Sequence, residues 1–398
     1  MGKAKVLRMT PYALFGNVLA PEPLGRAAVV VEGGRILEIV RSPRLADLPR
    51  ERREVPGLIC PGFIDLQVNG AFGVEAGPDL VTLAKLAREL PKTGTTSFLP
   101  TAISWPTERY DAFLEVLKDA SRLPGANILG AHIEGPFLSP ARKGAHESAH
   151  LRPVNLGFTR RLADSGMVRV MTLAPELQGA KEAIRLLTEG GTVASAGHTD
   201  ASYEETLRAI DAGLSMGTHL YNAMSPFTHR SPGTVGALLA DDRVRAGIIA
   251  DGVHVHEGAL RLAYRQKGPE GLALVTDAME AAGMPPGEYK LSGRKARLEG
   301  GEARLPDGTL AGSALTMDLA VSNAVDLLGI SIRDAVRMAT QTPAEIIGMH
   351  GKGRIVAGAD ADLVLLVPSG AVYETIVGGE TVYAVSREDD GLPGSPRG

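Results

Sequence analysis

The sequence holds a single cysteine, Cys60, so no disulfide can close within the chain, and a reducing compartment is the simpler setting. It also lacks a strong excess of either charge. Forty-two lysines and arginines stand against 46 aspartates and glutamates, giving a net charge of −4. That balance argues against nucleic-acid or general polyanion binding, although local basic residues can still hold a small anion. No stretch approaches the roughly 20 apolar residues of a spanning helix, and the opening MGKAKVLRMTPYALFG lacks a sustained apolar core with a cleavage site. The expectation is a cytoplasmic protein with neither a membrane nor a nucleic-acid partner. Missing too is a Gly-rich phosphate fingerprint after the first buried strand, the main signature of a dinucleotide-binding open sheet.

What is present is alternation. With 398 residues, 44% of them hydrophobic and 22% charged, the chain suits one large α/β domain plus an accessory. Apolar runs end in polar or Gly-rich turns at GFIDLQVNG, TSFLPTA, NILGAHIEG, VRVMTLAPE, TVASAGHTD, SMGTHLYNA, RAGIIADGVH and LALVTDAME. Helical segments such as DLVTLAKLAREL, ERYDAFLEVLKDA, AKEAIRLLTEG, SYEETLRAIDAG and GALRLAYRQ separate them. Eight buried strands alternating with helices is the count of a (β/α)8 TIM barrel, with a doubly wound open sheet as runner-up. Both ends of the chain are β-rich. Ala27 to Val40 reads as a hairpin through Gly33-Gly34, and the segment from Gly353 onward gives β runs broken by Gly and Asp. The predicted division is therefore 1–58 and 351–388 as two parts of a small β-sandwich domain, 59–350 as the barrel, and 389–398 as a disordered tail.

The strand ends carry the chemistry. In a barrel of this kind the active site lies at the C-terminal mouth, so residues at consecutive strand ends converge. The third strand ends in His132 and Glu134, the fifth in His198 and the sixth in His219; the seventh and eighth end in Asp251 with His254 and in Asp277. A lone histidine at a strand end is usually structural, but burying several imidazoles and carboxylates together without a ligand is costly. One carboxylate and two imidazoles with an open fourth position make a catalytic zinc set, and Glu134, His198 and His219 supply it. Such a metal lowers the pKa of its bound water toward about 7. Asp277 is then the candidate general base, with a helix N-cap as its competing role. His132 and His256 read as structural, His229 as bland, and His150 carries no assignment.

PGFIDLQVNG, GAHIEGPFL, KGAHE, SAGHTDA, GTHLYNAM, ADGVHVH, VTDAM and AGSALTM, in this order along the chain, resemble the N-acetylglucosamine-6-phosphate deacetylases of the amidohydrolase superfamily. The resemblance implies hydrolysis of the N-acetyl group of N-acetylglucosamine 6-phosphate to acetate and glucosamine 6-phosphate, in amino-sugar catabolism and cell-wall recycling. It places the metal ligands on Glu134, His198 and His219 and the catalytic aspartate on Asp277. Its substrate contacts fall on Ala145-His146, Asn222-Ala223, Arg230, Asp251-Gly252-Val253-His254 and Leu310-Ala311-Gly312. Chemistry assigns His146 as the oxyanion donor, and Arg230 with the amides of Asn222 and Ala223, aided by His254, to the phosphate. Members are often dimers, so a homodimer is expected, with Arg230 or His254 reaching a neighbouring subunit's site.

Many relatives in the superfamily carry a His-x-His pair on the first strand, and many add a bridging carboxylated lysine. Here the pair is Gln67-x-Asn69, and amides are poor zinc ligands beside imidazole. One divalent ion per chain, most simply Zn2+, is expected, with Gln67 and Asn69 bonding across the pocket to the hydrolytic water or to Glu134, and with Asp65 structural. A cyclic amidohydrolase, an N-acyl-amino-acid deacylase and a non-catalytic barrel scaffold are the competing readings.

Overall fold

The structure is a computed structural model and describes residues 10–20 and 23–385. The expected tail, 389–398, lies outside the described residues.

Eight parallel strands form the barrel: Phe63–Val68, Thr95–Ala102, Ala131–Glu134, Val168–Leu173, Val193–Ala196, Met216–Gly217, Arg245–Ile248 and Leu272–Leu274, each paired with the next. The first two are buried along their whole length, the polar Asp65, Gln67, Thr95, Thr96 and Ser97 included. The ring closes between the first and last strands. Val68 bridges to Ala278, and Asp65 accepts from the Thr276 hydroxyl at 2.5 Å and from its backbone N–H at 3.3 Å. Asp65 is thus structural, as expected, and burial pushes its carboxyl up to about 7. The five helices foreseen are present. A further one, Gly233–Ala240, is buried on nearly every side, so its sequence carries no polar face to betray it.

Both termini join one seven-stranded sheet, whose order runs Glu380–Ala384, Val372–Val377, Leu363–Leu366, Glu51–Pro61, Tyr12–Leu19, Pro23–Glu32 and Arg35–Arg41. The hairpin turns at Gly33 and Gly34, both at positive φ (57° and 79°). Glu51–Pro61 leads almost directly into the first barrel strand, so this sheet is anchored to the barrel floor. Lys352 secures that junction. Its Nζ lies 2.9 Å from Asp360 and 2.6 Å from Asp362, and Asp362 also accepts from Asn127 and from the N–H of Gly378. Replacing Lys352 by methionine strands the buried Asp362 carboxylate, and urea unfolding is expected to show a loss of about 3–5 kcal/mol.

A small sheet also escaped the sequence reading. Between the eighth barrel strand and the helix Met317–Leu328, three antiparallel strands (Gly287–Leu291, Arg294–Glu299, Glu302–Arg304) form a separate small sheet beside the barrel mouth. No helix among the described residues is long and apolar enough to cross a membrane.

Candidate active site

Glu134 closes the third barrel strand, while His198, His219 and Asp277 sit two or three residues beyond the fifth, sixth and eighth. The last three have left-handed backbone, with φ of 50°, 33° and 50°, a conformation that turns each side chain sharply at its strand end. Glu134, His198 and His219 are buried and Asp277 half-buried, and all four line one cavity of about 470 Å³ at the barrel mouth. The Nε2 atoms of His198 and His219 lie 3.1 and 2.9 Å from the same Glu134 oxygen and 3.1 Å from each other. Burial opposes ionisation of Glu134, but its hydrogen bonds to the two imidazoles and their charge hold it well below the usual carboxylate range.

That donor set fits a divalent cation. His198 donates Nδ1–H to the carbonyl of Arg142 at 2.9 Å, so Nε2 is the nitrogen that would release its proton from Glu134 and ligate an ion. Edges near 3 Å are those of ligand atoms each about 2.0–2.2 Å from one ion. Gly144 keeps this wall close, because a Cβ there would stand 3.1 Å from the His198 ring.

Asp277 faces the cluster. Gln67 and Asn69 donate from their side-chain amides to its Oδ1 at 3.0 and 2.7 Å. The protein partner of the amides is thus Asp277 and not the expected Glu134, because barrel closure puts the first strand beside the eighth. Burial first, and then the charge of Glu134, push the Asp277 carboxyl up to about 6. Gly312, at φ 58°, passes so near that a Cβ would lie 2.9 Å from the Asp277 carbonyl.

The other predicted residues divide into two groups. Ala145, His146, Asn222, Ala223, His254, Leu310 and Gly312 line the cavity, with Ala311 buried behind it. Asp251, Gly252 and Val253 do not line it. Asp251 instead holds His254, accepting from its backbone N–H at 2.8 Å and lying 2.6 Å from its Nδ1. Arg230 is exposed and stands away from the cavity of its own chain. His132 is structural, bridging the Leu66 carbonyl and the Thr172 hydroxyl, and His256 caps the helix Glu257–Gly271. Arg142, Arg304, Ile103 and Leu291 line the cavity without having been foreseen. No local sequence signal marks any of the four.

A (β/α)8 barrel whose mouth joins two imidazoles, a carboxylate and an opposed aspartate defines the metal-dependent hydrolase class. The amidohydrolase family model matches residues 58–382. The N-acetylglucosamine-6-phosphate deacetylase of Homo sapiens is 40% identical over 402 residues, 96% of this chain and 96% of its own length. The N-acetylgalactosamine-6-phosphate deacetylase of Escherichia coli is 39% identical over 317 residues, 78% of this chain and 83% of that protein. A Mycobacterium smegmatis N-acetyl-D-glucosamine-6-phosphate deacetylase mutant, solved in complex with N-acetyl-D-glucosamine-6-phosphate, superposes with a TM-score of 0.89. It shares 34% identity, covering 94% of this chain and 99% of that one. The chain belongs to the amidohydrolase family and, within it, to the N-acetylglucosamine-6-phosphate deacetylases.

Proposed function

We propose that the protein hydrolyses the N-acetyl group of N-acetylglucosamine 6-phosphate to acetate and glucosamine 6-phosphate. The observation that carries this is the meeting of Glu134, His198 and His219 with Asp277 across one sugar-sized cavity, in a chain of this family. Glu134, His198 and His219 would hold one divalent ion, with zinc the best match to a carboxylate and two imidazoles. When bound, such an ion supplies hydroxide at neutral pH and polarises a carbonyl. Asp277, held by Gln67 and Asn69, takes the water's proton and delivers it to the departing amine. His146 donates from Nε2 to the carbonyl oxygen as negative charge develops there.

The amides of Asn222 and Ala223, with His254, suit the phosphate end of the cavity. Arg230 is exposed and does not line the cavity of its own chain, which favours a homodimer in which it reaches the partner's site. Arg230→Ala should raise KM for the phosphorylated sugar at least about tenfold with kcat nearly unchanged, since binding common to ground and transition states is what is lost. An unchanged KM in steady-state kinetics rejects the phosphate role; an active monomer in gel filtration rejects the dimer. A cytoplasmic setting accords with a phosphorylated substrate and the buried free thiol of Cys60.

The direct experiment is acetate release by the zinc-loaded protein from N-acetylglucosamine 6-phosphate, its C4 epimer N-acetylgalactosamine 6-phosphate, and unphosphorylated N-acetylglucosamine. The 6-phosphate of glucosamine configuration should give the highest kcat/KM. A preference for the epimer would move the assignment to the galactosamine enzyme, and no turnover of any of the three would revive a non-catalytic scaffold.

A further inference from the structure

Two imidazoles meet edge to face at the cavity mouth. The rings of His146 and His198 have centroids 4.4 Å apart and planes inclined by 66°. Their Nδ1 atoms encounter opposite chemistry. At His198 the partner is a carbonyl oxygen, that of Arg142, which can only accept; Nδ1 therefore carries a proton, and Nε2 is the nitrogen left to ligate. At His146 the partner is the backbone N–H of Ser104, 3.2 Å away, which can only donate. The Ser104 hydroxyl adds a second contact to the same nitrogen at 2.9 Å. Nδ1 of His146 must then hold the lone pair, and Nε2 carries the proton toward the cavity that the residue lines. One ring is set as a ligand and its neighbour as a donor.

The arrangement is built, not incidental. Ser104 is 1% exposed and His146 3%. Room for the hydroxyl comes from Gly135, the residue after the ligand Glu134, where a Cβ would stand 2.5 Å from the Ser104 oxygen. On the other side, Arg294 from the small three-stranded sheet donates to the carbonyl of Ala145 at 2.7 Å and fixes the chain next to His146.

We infer that Ser104 is a positioning residue for the deacetylation: it fixes His146 as the Nε2–H tautomer, so that this ring donates to the substrate carbonyl oxygen and cannot act as a fourth metal ligand. The inference rests on the reading of His146 as the oxyanion donor. Its test uses the full-length, zinc-loaded protein with Ser104→Ala, Ser104→Thr, His146→Ala and the Ser104→Ala/His146→Ala double variant.

Ser104→Ala should lower kcat about fivefold to tenfold, the worth of one hydrogen bond, with KM and zinc content unchanged. Ser104→Thr, which restores a hydroxyl, should recover most of it. In the His146→Ala background, Ser104→Ala should have no further effect, an outcome that a general packing role would not produce. Nitrogen-15 NMR of the imidazoles should place the His146 proton on Nε2. A His146→Ala enzyme with wild-type kcat would overturn the donor reading itself. A crippled His146→Ala enzyme combined with unchanged kcat in Ser104→Ala, additive losses in the double variant, or a proton found on Nδ1 would overturn the role of Ser104 alone.

Discussion

Asp277→Asn is expected to leave the protein folded and metal-loaded while lowering kcat on the order of 10³-fold. Asparagine is nearly isosteric with aspartate, and its carbonyl oxygen can still accept from Gln67 and Asn69. It is also among the few residues that tolerate the φ of 50° found here. What disappears is the proton-accepting charge, and the base and acid roles go together. The pH profile supplies a second readout. Burial and the charge of Glu134 raise the Asp277 carboxyl to about 6, so the wild-type rate should climb as pH rises toward and through that value. A cation beside it pulls the midpoint lower, so the acid limb falls at or below pH 6. The limb should vanish in Asp277→Asn. A loss of only tenfold, with the limb intact, would assign the base to another residue.

His198→Ala should remove metal and activity together. Alanine leaves Glu134 and His219, and two ligands do not make a closed set for zinc. Alanine also sits poorly at a positive φ and strips a partner from buried Glu134, so the variant is less stable whatever the metal does. The informative quantity is the gain in thermal midpoint on adding zinc, measured within each protein so that this baseline cancels. Saturating wild type at about 1,000 times Kd should stabilise it by about 4 kcal/mol, and the variant should show almost no gain. Metal analysis should find one ion per wild-type chain, because Gln67 and Asn69 are committed to Asp277 and leave no second ligand pair. A His198→Ala protein that keeps its zinc gain would place the metal elsewhere.

The barrel was legible because parallel strands buried on both faces are largely apolar, and because histidines and carboxylates gather where those strands end. Glu134, His198, His219 and Asp277 stood out for the same reason. Partners across the ring were not legible. Nothing along the chain says that the first strand lies against the eighth, so the target of Gln67 and Asn69 was misassigned. Short charged strands such as Arg294–Glu299 bury only alternate residues, and their pattern is too brief to separate from a loop. Arg142, Ser104 and Arg304 belong to a short turn, a loop and a brief strand whose direction is set by packing rather than by local pattern. Arg230 shows the converse: a motif match fixes a residue type, while its distance from the cavity depends on the whole assembly.

The left-handed backbone at His198, His219 and Asp277 ties the cost of the fold to that of its site. At the two histidines it costs about 1–2 kcal/mol that glycine would not incur, while aspartate visits this region more readily. Glycine at His198 or His219 would recover that cost but strip a partner from the buried Glu134, so backbone strain and buried charge offset each other and neither is relieved alone.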